Sequence, residues 1–149
     1  MHNHDGCIQS AVNHAISICS AKGTQFTELR KKVLECIWKN HEAVKAYDIL
    51  EALESENYKN PKPPTVYRTL DFLQDLGLIH RLESLNAFVG CPTPGKKHQG
   101  GFLICQTCGS VEEINAMFIE NELNNTITIK GFVPYQTTLE IHGLCLNCQ

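Results

Sequence analysis

The chain has 149 residues, a net charge of −3 and 42% hydrophobic residues. This composition is that of an ordinary globular protein of one or two small domains, and it excludes a polycation or a low-complexity chain. No apolar run approaches the roughly 20 residues that a membrane-spanning helix needs. Residues 1–5 lack the basic and apolar segments of a secretory signal. We therefore expect a cytoplasmic protein, in which cysteines stay reduced and can serve as metal ligands.

Hydrophobic periodicity predicts helices through most of the first half of the chain. The first helix, over residues 7–23, has a predicted buried face that includes Val12 and Ile16. Thr27 is the expected N-cap of a second helix, because its hydroxyl can accept a bond from an unpaired backbone N–H. A third helix is predicted over residues 46–56.

The segment that follows predicts a change from helices to a hairpin. Residues 60–64 are rich in proline and are expected to be extended. Thr65 is the predicted N-cap of a fourth helix, and Gly77 is its predicted end. Strands are expected over residues 78–82 and 87–91. Helices followed by such a hairpin predict a winged helix-turn-helix, an architecture that more often binds nucleic acid than protein alone.

Four of the eight cysteines form two CxxC pairs: Cys105 with Cys108, and Cys145 with Cys148. Each pair places two thiolates on one tight turn, and two such turns can enclose a tetrahedral Zn²⁺. Four sulfur ligands leave no open position for a substrate, so the predicted site is structural. Redox dithiols or disulfides are the alternative, but the duplicated motif and Gly109 after the first pair favour zinc. His142 is expected to be an ordinary histidine, and the alternative, suggested by its place beside the second pair, is that it supports the metal ligands there.

Residues 91–97 are rich in Pro, Gly and Lys, which predicts a hinge between one domain over 1–90 and another over 98–149. The elements expected in the second domain are strands over 101–105 and 111–116, a helix over 118–127 and a strand over 138–142. Because this domain has little core, we expect zinc and a dimer interface to stabilise it. The predicted fold class is α+β, with an N-terminal winged helix-turn-helix domain followed by a small zinc-stapled α/β dimerisation domain.

A second set of potential ligands lies near the predicted hinge. It consists of His80 and Cys91 on the hairpin, His98 beyond the hinge, and Glu113 after the first CxxC pair. A thiolate with an imidazole favours Zn²⁺ over Fe²⁺ or Mn²⁺. A metal held by ligands of both domains would shift the population toward one domain arrangement. Spacing alone leaves open that His80 is an ordinary strand residue.

Several motifs in one order carry a family resemblance over almost the whole chain. They are Ala46–Leu50, Lys62–Leu73, Gly77–Ser84, Phe102–Gly109 and His142–Cys145. With these motifs the chain resembles the ferric uptake regulator family, and most closely its zinc uptake regulator branch. The resemblance implies a homodimeric, zinc-responsive DNA-binding repressor of zinc-uptake genes, not an enzyme, with two Zn²⁺ per chain. It assigns the structural zinc to the CxxC cysteines and the regulatory zinc to His80, Cys91, His98 and Glu113.

On this resemblance, residues 65–76 form the recognition helix, which enters the major groove by its N-terminal end. Arg68 can contact guanine bidentately, and Tyr67 can contact a thymine methyl or a phosphate, unless it packs on a neighbouring helix. The expected phosphate contacts are Tyr47, Lys62 and Thr65. A dimer would require a pseudo-palindromic operator.

Other interpretations remain open from the sequence. The basic run from Arg30 to Lys32 is better explained as a solvated helix face than as a DNA contact. A sensor of another metal or of peroxide is an alternative within the same family, although Cys91 argues against it. Outside the family, the alternatives are a zinc-dependent hydrolase with Glu113 as base and a winged-helix protein that binds only another protein. Zinc-dependent binding to a palindromic duplex would distinguish the regulator from these two.

Overall fold

A computed structural model describes residues 4–96 and 100–149, and the chain divides into two compact units, Met1–Gly95 and Lys96–Gln149. The first unit contains α1 His4–Lys22, α2 Glu28–Trp38, α3 Ala46–Ser55, α4 Pro63–Asp75, β1 Ile79–Leu82 and β2 Ala87–Gly90. The second contains β3 Gly100–Cys105, β4 Val111–Asn115, α5 Met117–Ile129, β5 Leu139–Gly143 and a 3₁₀ turn at Leu146–Cys148. Both units combine helices with a small sheet, which confirms the α+β class. None of the described helices is long and apolar enough to cross a membrane.

Two helix ends follow the sequence signals closely. Thr27 is the N-cap of α2, and its hydroxyl oxygen accepts a hydrogen bond from the Arg30 backbone N–H at 3.4 Å. Gly77 ends α4 with a φ of +69°, a conformation that glycine adopts without steric cost. The N–H groups of Gly77 and Leu78 donate back into the last turn of α4, each at 2.9 Å. Both bonds satisfy carbonyls that the helix leaves unpaired, and the prediction of Gly77 as the helix end is confirmed.

The predicted N-cap of α4 lies three residues too far along the chain. The helix begins at Pro63, with Lys62 as the extended N-cap residue, and Thr65 already lies inside the first turn. Proline is well suited to this place because its fixed φ is helical and its missing N–H would have no partner there. Within the segment predicted to be extended, Lys62 is extended, whereas Asn60 has a φ of +41° and Pro63 and Pro64 belong to the helix. The prediction of an extended segment over residues 60–64 is therefore wrong at both of its ends.

The core of the first unit lies between its four helices and the hairpin. Its largest fully buried side chains include Leu34, Ile37, Ile49, Leu53, Leu70 and Leu73. On α1 the predicted face is correct at Val12, which is 4% exposed, but wrong at Ile16, which is 52% exposed. Ala11 and Ala15 are both buried, so α1 presents small side chains where it packs closely.

The strands β1 and β2 pair antiparallel and form the predicted hairpin, with Ile79 opposite Gly90. Val44 adds an isolated antiparallel bridge to Phe88. The indole of Trp38 occupies the space that a Cβ at position 90 would need. Only glycine fits there, so Gly90 fixes how closely α2 packs on the hairpin.

In the second unit, β3 is the central strand of a three-stranded sheet in the order β4-β3-β5. It pairs antiparallel with β4 and parallel with β5. The parallel pairing matches Cys105 with Gly143. Because parallel strands end at the same edge of a sheet, the chain segments after β3 and β5 emerge side by side.

Candidate metal centre and nucleic-acid interface

The two CxxC pairs lie together at the edge where β3 and β5 end. The sulfur atoms of Cys105, Cys108, Cys145 and Cys148 all lie within 4.8 Å of one another. Cys108 Sγ and Cys145 Sγ, from different pairs, are 3.7 Å apart. A tetrahedral zinc with Zn–S bonds of about 2.3 Å requires sulfurs about 3.8 Å apart. The cluster therefore fits a tetrahedral Zn²⁺ in both donor type and spacing.

Each pair sits on a turn that its own residues stabilise. In the first pair, Gly109 has a φ of +73° and donates its N–H to Cys105 O at 3.1 Å. In the second, the Cys148 N–H donates to Cys145 O at 2.9 Å within the 3₁₀ turn. The Cys145 N–H also donates to Cys105 Sγ at 3.4 Å, which joins the two turns. Each turn is thus closed by its own backbone hydrogen bond, and one backbone N–H of the second turn reaches a sulfur of the first.

The cysteine thiols influence one another strongly. Backbone N–H groups of Cys108, Cys145 and Thr107 lower the pKa of the Cys105 thiol to about 6. A hydrogen bond with the Ser110 hydroxyl lowers the pKa of Cys108. The hydrogen bond with Cys145 raises the pKa of Cys148 to about 12. Four thiolates at this spacing need a cation to balance their charge, which is what a bound Zn²⁺ supplies.

The second predicted ligand set is divided between the two units. In the first unit, His80 on β1 and Cys91 just after β2 place their ligand atoms within 4.8 Å of each other, and Cys91 is 2% exposed. In the second unit, Glu113 is half-buried on β4. A Cβ at position 100 would lie 2.5 Å from Glu113 Oε1, so the carboxylate lies directly over Gly100. His98, the remaining predicted ligand, lies outside the described residues.

The predicted DNA-contacting residues share one exposed region of the first unit. Lys62, Thr65, Tyr67 and Arg68 are exposed at the N-terminal end of α4. Tyr47 on α3 is 67% exposed, and Tyr67 is 51% exposed, so Tyr67 does not pack into a helix interface. Both tyrosines line a surface hollow of about 190 Å³ together with Lys45 and Asn86 of the hairpin turn. The hollow joins α3, α4 and the hairpin into one surface.

Comparison with known proteins identifies the family. A model of the ferric uptake regulator family matches residues 21–142. The chain belongs to this family. The zinc uptake regulation protein of Escherichia coli (strain K12) is 36% identical to it over 145 residues, covering 94% of this chain and 82% of that protein. The ferric uptake regulation protein of Staphylococcus aureus is 27% identical over 140 residues, covering 92% of this chain and 97% of that protein.

Solved structures of zinc uptake regulators are similar to this ferric uptake regulator family member. A zinc uptake regulator complexed with zinc and DNA is similar with a TM-score of 0.88 and 34% identity, covering 94% of this chain and 93% of that one. The crystal structure of holo XcZur gives a TM-score of 0.83 and 40% identity, covering 93% of this chain and 96% of that one. The predicted family and fold are therefore confirmed.

Other residues of this family member are placed in ways that the sequence did not indicate. Two side chains of the basic run form ion pairs within the first unit: Lys31 lies 3.9 Å from Glu35, and Lys32 lies 3.2 Å from Glu56. Next to the cysteine cluster, the side chain of Gln106 lies 2.7 Å from His142 Nδ1. The sequence indicated His142 through its position but gave no signal for Gln106, since their contact depends on the pairing of β3 with β5.

Proposed function

We propose that the chain is a zinc-responsive DNA-binding repressor of zinc-uptake genes, acting in the cytoplasm as a homodimer. The observation that carries the proposal is the similarity, over 94% of the chain and with a TM-score of 0.88, to a zinc uptake regulator complexed with zinc and DNA. The proposal involves no catalytic step. It assigns two zinc ions to each chain, one structural and one regulatory.

The exposed N-terminal end of α4 supports the DNA-binding role. A helix of 13 residues is long enough to place several side chains in the major groove, and its N-terminal end favours phosphate through the helix dipole. Arg68 would contact guanine, and Tyr67 would contact a thymine methyl or the backbone. Tyr47, Lys62 and Thr65 would contact phosphates and fix the position of the helix on the duplex.

The cysteine cluster supports the structural zinc. Cys105, Cys108, Cys145 and Cys148 would hold a closed tetrahedral ion that joins the ends of β3 and β5. When bound, zinc supplies the positive charge that keeps the four thiols deprotonated. The expected consequence is a second unit that is folded only in the zinc-loaded protein.

His80, Cys91, His98 and Glu113 are proposed as the regulatory ligands. The short separation of His80 and Cys91 supports this assignment in the first unit, and the position of Glu113 over Gly100 supports it in the second. Ligands from both units would make the affinity for zinc depend on domain arrangement. If DNA binds one domain arrangement more tightly, zinc would change the affinity for DNA. By linkage, DNA would change the affinity for zinc by the same factor.

The homodimer is supported by apolar surface on the second unit. Its exposed large side chains include Phe118, Leu123, Ile129, Phe132, Val133, Tyr135 and Ile141. β5 pairs only with β3 among the described strands, so its outer edge is open to another strand. Exposed apolar side chains and an open strand edge on the same unit suit a second copy of that unit, because a self-complementary surface closes with two-fold symmetry. A two-fold dimer in turn requires a pseudo-palindromic operator.

Zinc-dependent DNA binding tests the proposal. Zinc-loaded protein would first select duplexes from a random-sequence library, and fluorescence anisotropy would then measure affinity for the selected duplex in buffers of graded free Zn²⁺. We expect palindromic duplexes and an affinity that rises by about 5–150-fold with zinc, a typical coupling between two sites. Zinc content measured in parallel must show the cysteine cluster loaded throughout.

Substituting the metal separates the alternatives within the family. Zinc should raise DNA affinity at lower free concentration than Mn²⁺ or Fe²⁺, because a cysteine and histidines are proposed as ligands. A stronger response to Mn²⁺, Fe²⁺ or peroxide would replace the zinc sensor with another sensor of the same family. Duplex binding that ignores every metal, or the absence of selected duplexes, would contradict the regulator itself.

A further inference from the structure

The two cysteine turns are linked by a side-chain contact that includes no cysteine. Gln106 stands between the first two cysteines of the chain's CxxC cluster, and His142 stands on β5 before the second pair. Gln106 Nε2 lies 2.7 Å from His142 Nδ1, although 36 positions separate the two residues. The Gln106 backbone N–H also donates to Gly143 O at 2.8 Å. One residue of the first turn is thus held to β5 through both its backbone and its side chain.

The hydrogen-bond roles follow from the donors available. The amide nitrogen of Gln106 is a donor, so the contact is a hydrogen bond in the tautomer of His142 that carries its proton on Nε2 and accepts at Nδ1. His142 Nε2 lies 3.8 Å from Glu140 Oε2, and the Glu140 side chain is only 8% exposed. A carboxylate on the Nε2 side favours the tautomer in which Nδ1 is the acceptor. Glu140, His142 and Gln106 therefore form a chain that runs from a buried side chain to the first cysteine turn.

We propose that His142 is a positioning residue that holds the first cysteine turn through Gln106 and thereby slows zinc loss from the cluster. This inference rests on the structural zinc of the proposed function. Zinc can leave only when sulfurs of one turn move away from those of the other. The contacts that join the turns directly are weak ones to sulfur, such as Cys145 N–H to Cys105 Sγ at 3.4 Å. The shorter Gln106–His142 bond resists that opening.

The size of the effect can be bounded from other metal sites. Groups that orient metal ligands without touching the metal typically change affinity by about 10–100-fold when they are removed. We expect His142→Ala and Gln106→Ala each to release zinc about tenfold faster. The double variant should release zinc no faster than the faster-releasing of the two single variants, because both substitutions remove the same bond. Two independent effects would multiply instead.

Isosteric substitutions distinguish positioning from general destabilisation. The Asn carbonyl oxygen can take the place of His Nδ1, whereas the Gln side chain reaches the place of Nε2. His142→Asn should therefore retain zinc nearly as well as the original chain, and His142→Gln should lose it as quickly as His142→Ala. His14→Ala, on the exposed face of α1, is the matched histidine control. It should leave the rate of zinc release unchanged.

The readout is the rate at which the full-length dimer releases zinc to an excess of a chelating indicator. Release from the cysteine cluster is followed as the slow phase. Cobalt-loaded protein gives a second measure, since tetrahedral Co²⁺ with four thiolates has its own absorption bands. The inference would be overturned if His142→Asn released zinc at the same rate as the other His142 and Gln106 variants. Faster zinc release from His142→Asn than from His142→Gln would also overturn it. Failure of the original chain to hold zinc in the cluster would instead contradict the structural zinc of the proposed function.

Discussion

The guanidinium of Arg30 lies 3.4 Å from the ring centroid of Phe72 and joins α2 to α4. Arg30 also donates a hydrogen bond to the backbone carbonyl of Gln25. The first member of the basic run is therefore part of the packing under the proposed recognition helix. This explains why a sequence with three consecutive basic residues need not have a DNA contact there.

Replacing Arg30 with Ala should destabilise the first unit without changing how DNA binding depends on salt. A partly buried cation–π contact is worth about 1 kcal/mol, and the lost hydrogen bond adds a similar amount. Urea unfolding followed by tryptophan fluorescence would measure the loss. Lys31→Ala is the neighbouring control, because its exposed i,i+4 pair contributes only about 0.3–0.5 kcal/mol. Equal effects of the two substitutions would contradict the packing role of Arg30.

Gly90→Ala should weaken the packing between α2 and the hairpin. The new methyl group would overlap the Trp38 indole, and overpacking of this kind typically costs about 1–3 kcal/mol. Trp38 is the single tryptophan of the chain, so its emission directly reports the displaced ring. Gly143→Ala is the comparison, since a Cβ there has no neighbour within 4 Å. Unchanged emission in Gly90→Ala would disagree with this packing.

Cys108→Ser should remove one zinc ion per chain and unfold the second unit. Loss of one thiolate leaves three ligands, and structural zinc contributes about 10–16 kcal/mol to the folding of small zinc domains. Zinc content and resistance to proteolysis would measure the two effects. Cys36→Ser serves as control because burial raises the pKa of the Cys36 thiol and keeps it protonated. A Cys108→Ser protein that retains its full zinc content would contradict the proposed structural site.

Arg68 and Lys62 should affect DNA binding in different ways. Arg68→Ala should cost about 1–3 kcal/mol on the selected duplex and relax the preference at one base pair. Lys62→Ala should weaken binding to all duplexes alike and reduce the slope of affinity against salt by about one. Anisotropy at several salt concentrations, on the selected duplex and a scrambled one, would separate the two patterns. Identical patterns for both variants would argue against the assigned roles.

Glu113→Gln should raise the free zinc needed for half-maximal DNA binding while the cysteine cluster stays loaded. The amide is a weaker zinc ligand than the carboxylate. Gly100→Ala should act in the same direction, because the added Cβ would displace the Glu113 carboxylate. Glu112→Gln is the matched control on the same strand, with its side chain on the opposite face of the sheet. A zinc response that is unchanged in Glu113→Gln would remove Glu113 from the proposed regulatory ligands.

Much of the local structure could be predicted because its signals are local. Thr27 and Gly77 satisfy backbone groups of their own helices, and the CxxC spacing determines which two sulfurs share a turn. The predicted N-cap of α4 is wrong because proline interrupts a helix only in its interior, whereas Pro63 suits the first turn. The prediction for Ile16 is wrong because periodicity indicates an apolar face but not how deeply each member of that face is buried.

The sequence by itself determined the family, most of the helices and the pairing of the cysteines on two turns, since each depends on residue type and short spacing. Only the tertiary structure decided which distant side chains meet. The parallel pairing of β3 with β5 brings Cys108 within 3.7 Å of Cys145 and Gln106 within 2.7 Å of His142. Packing of α2 on α4 turns Arg30 onto Phe72. These contacts join residues far apart in the chain, and their partners are selected by strand register and helix packing rather than by any local pattern.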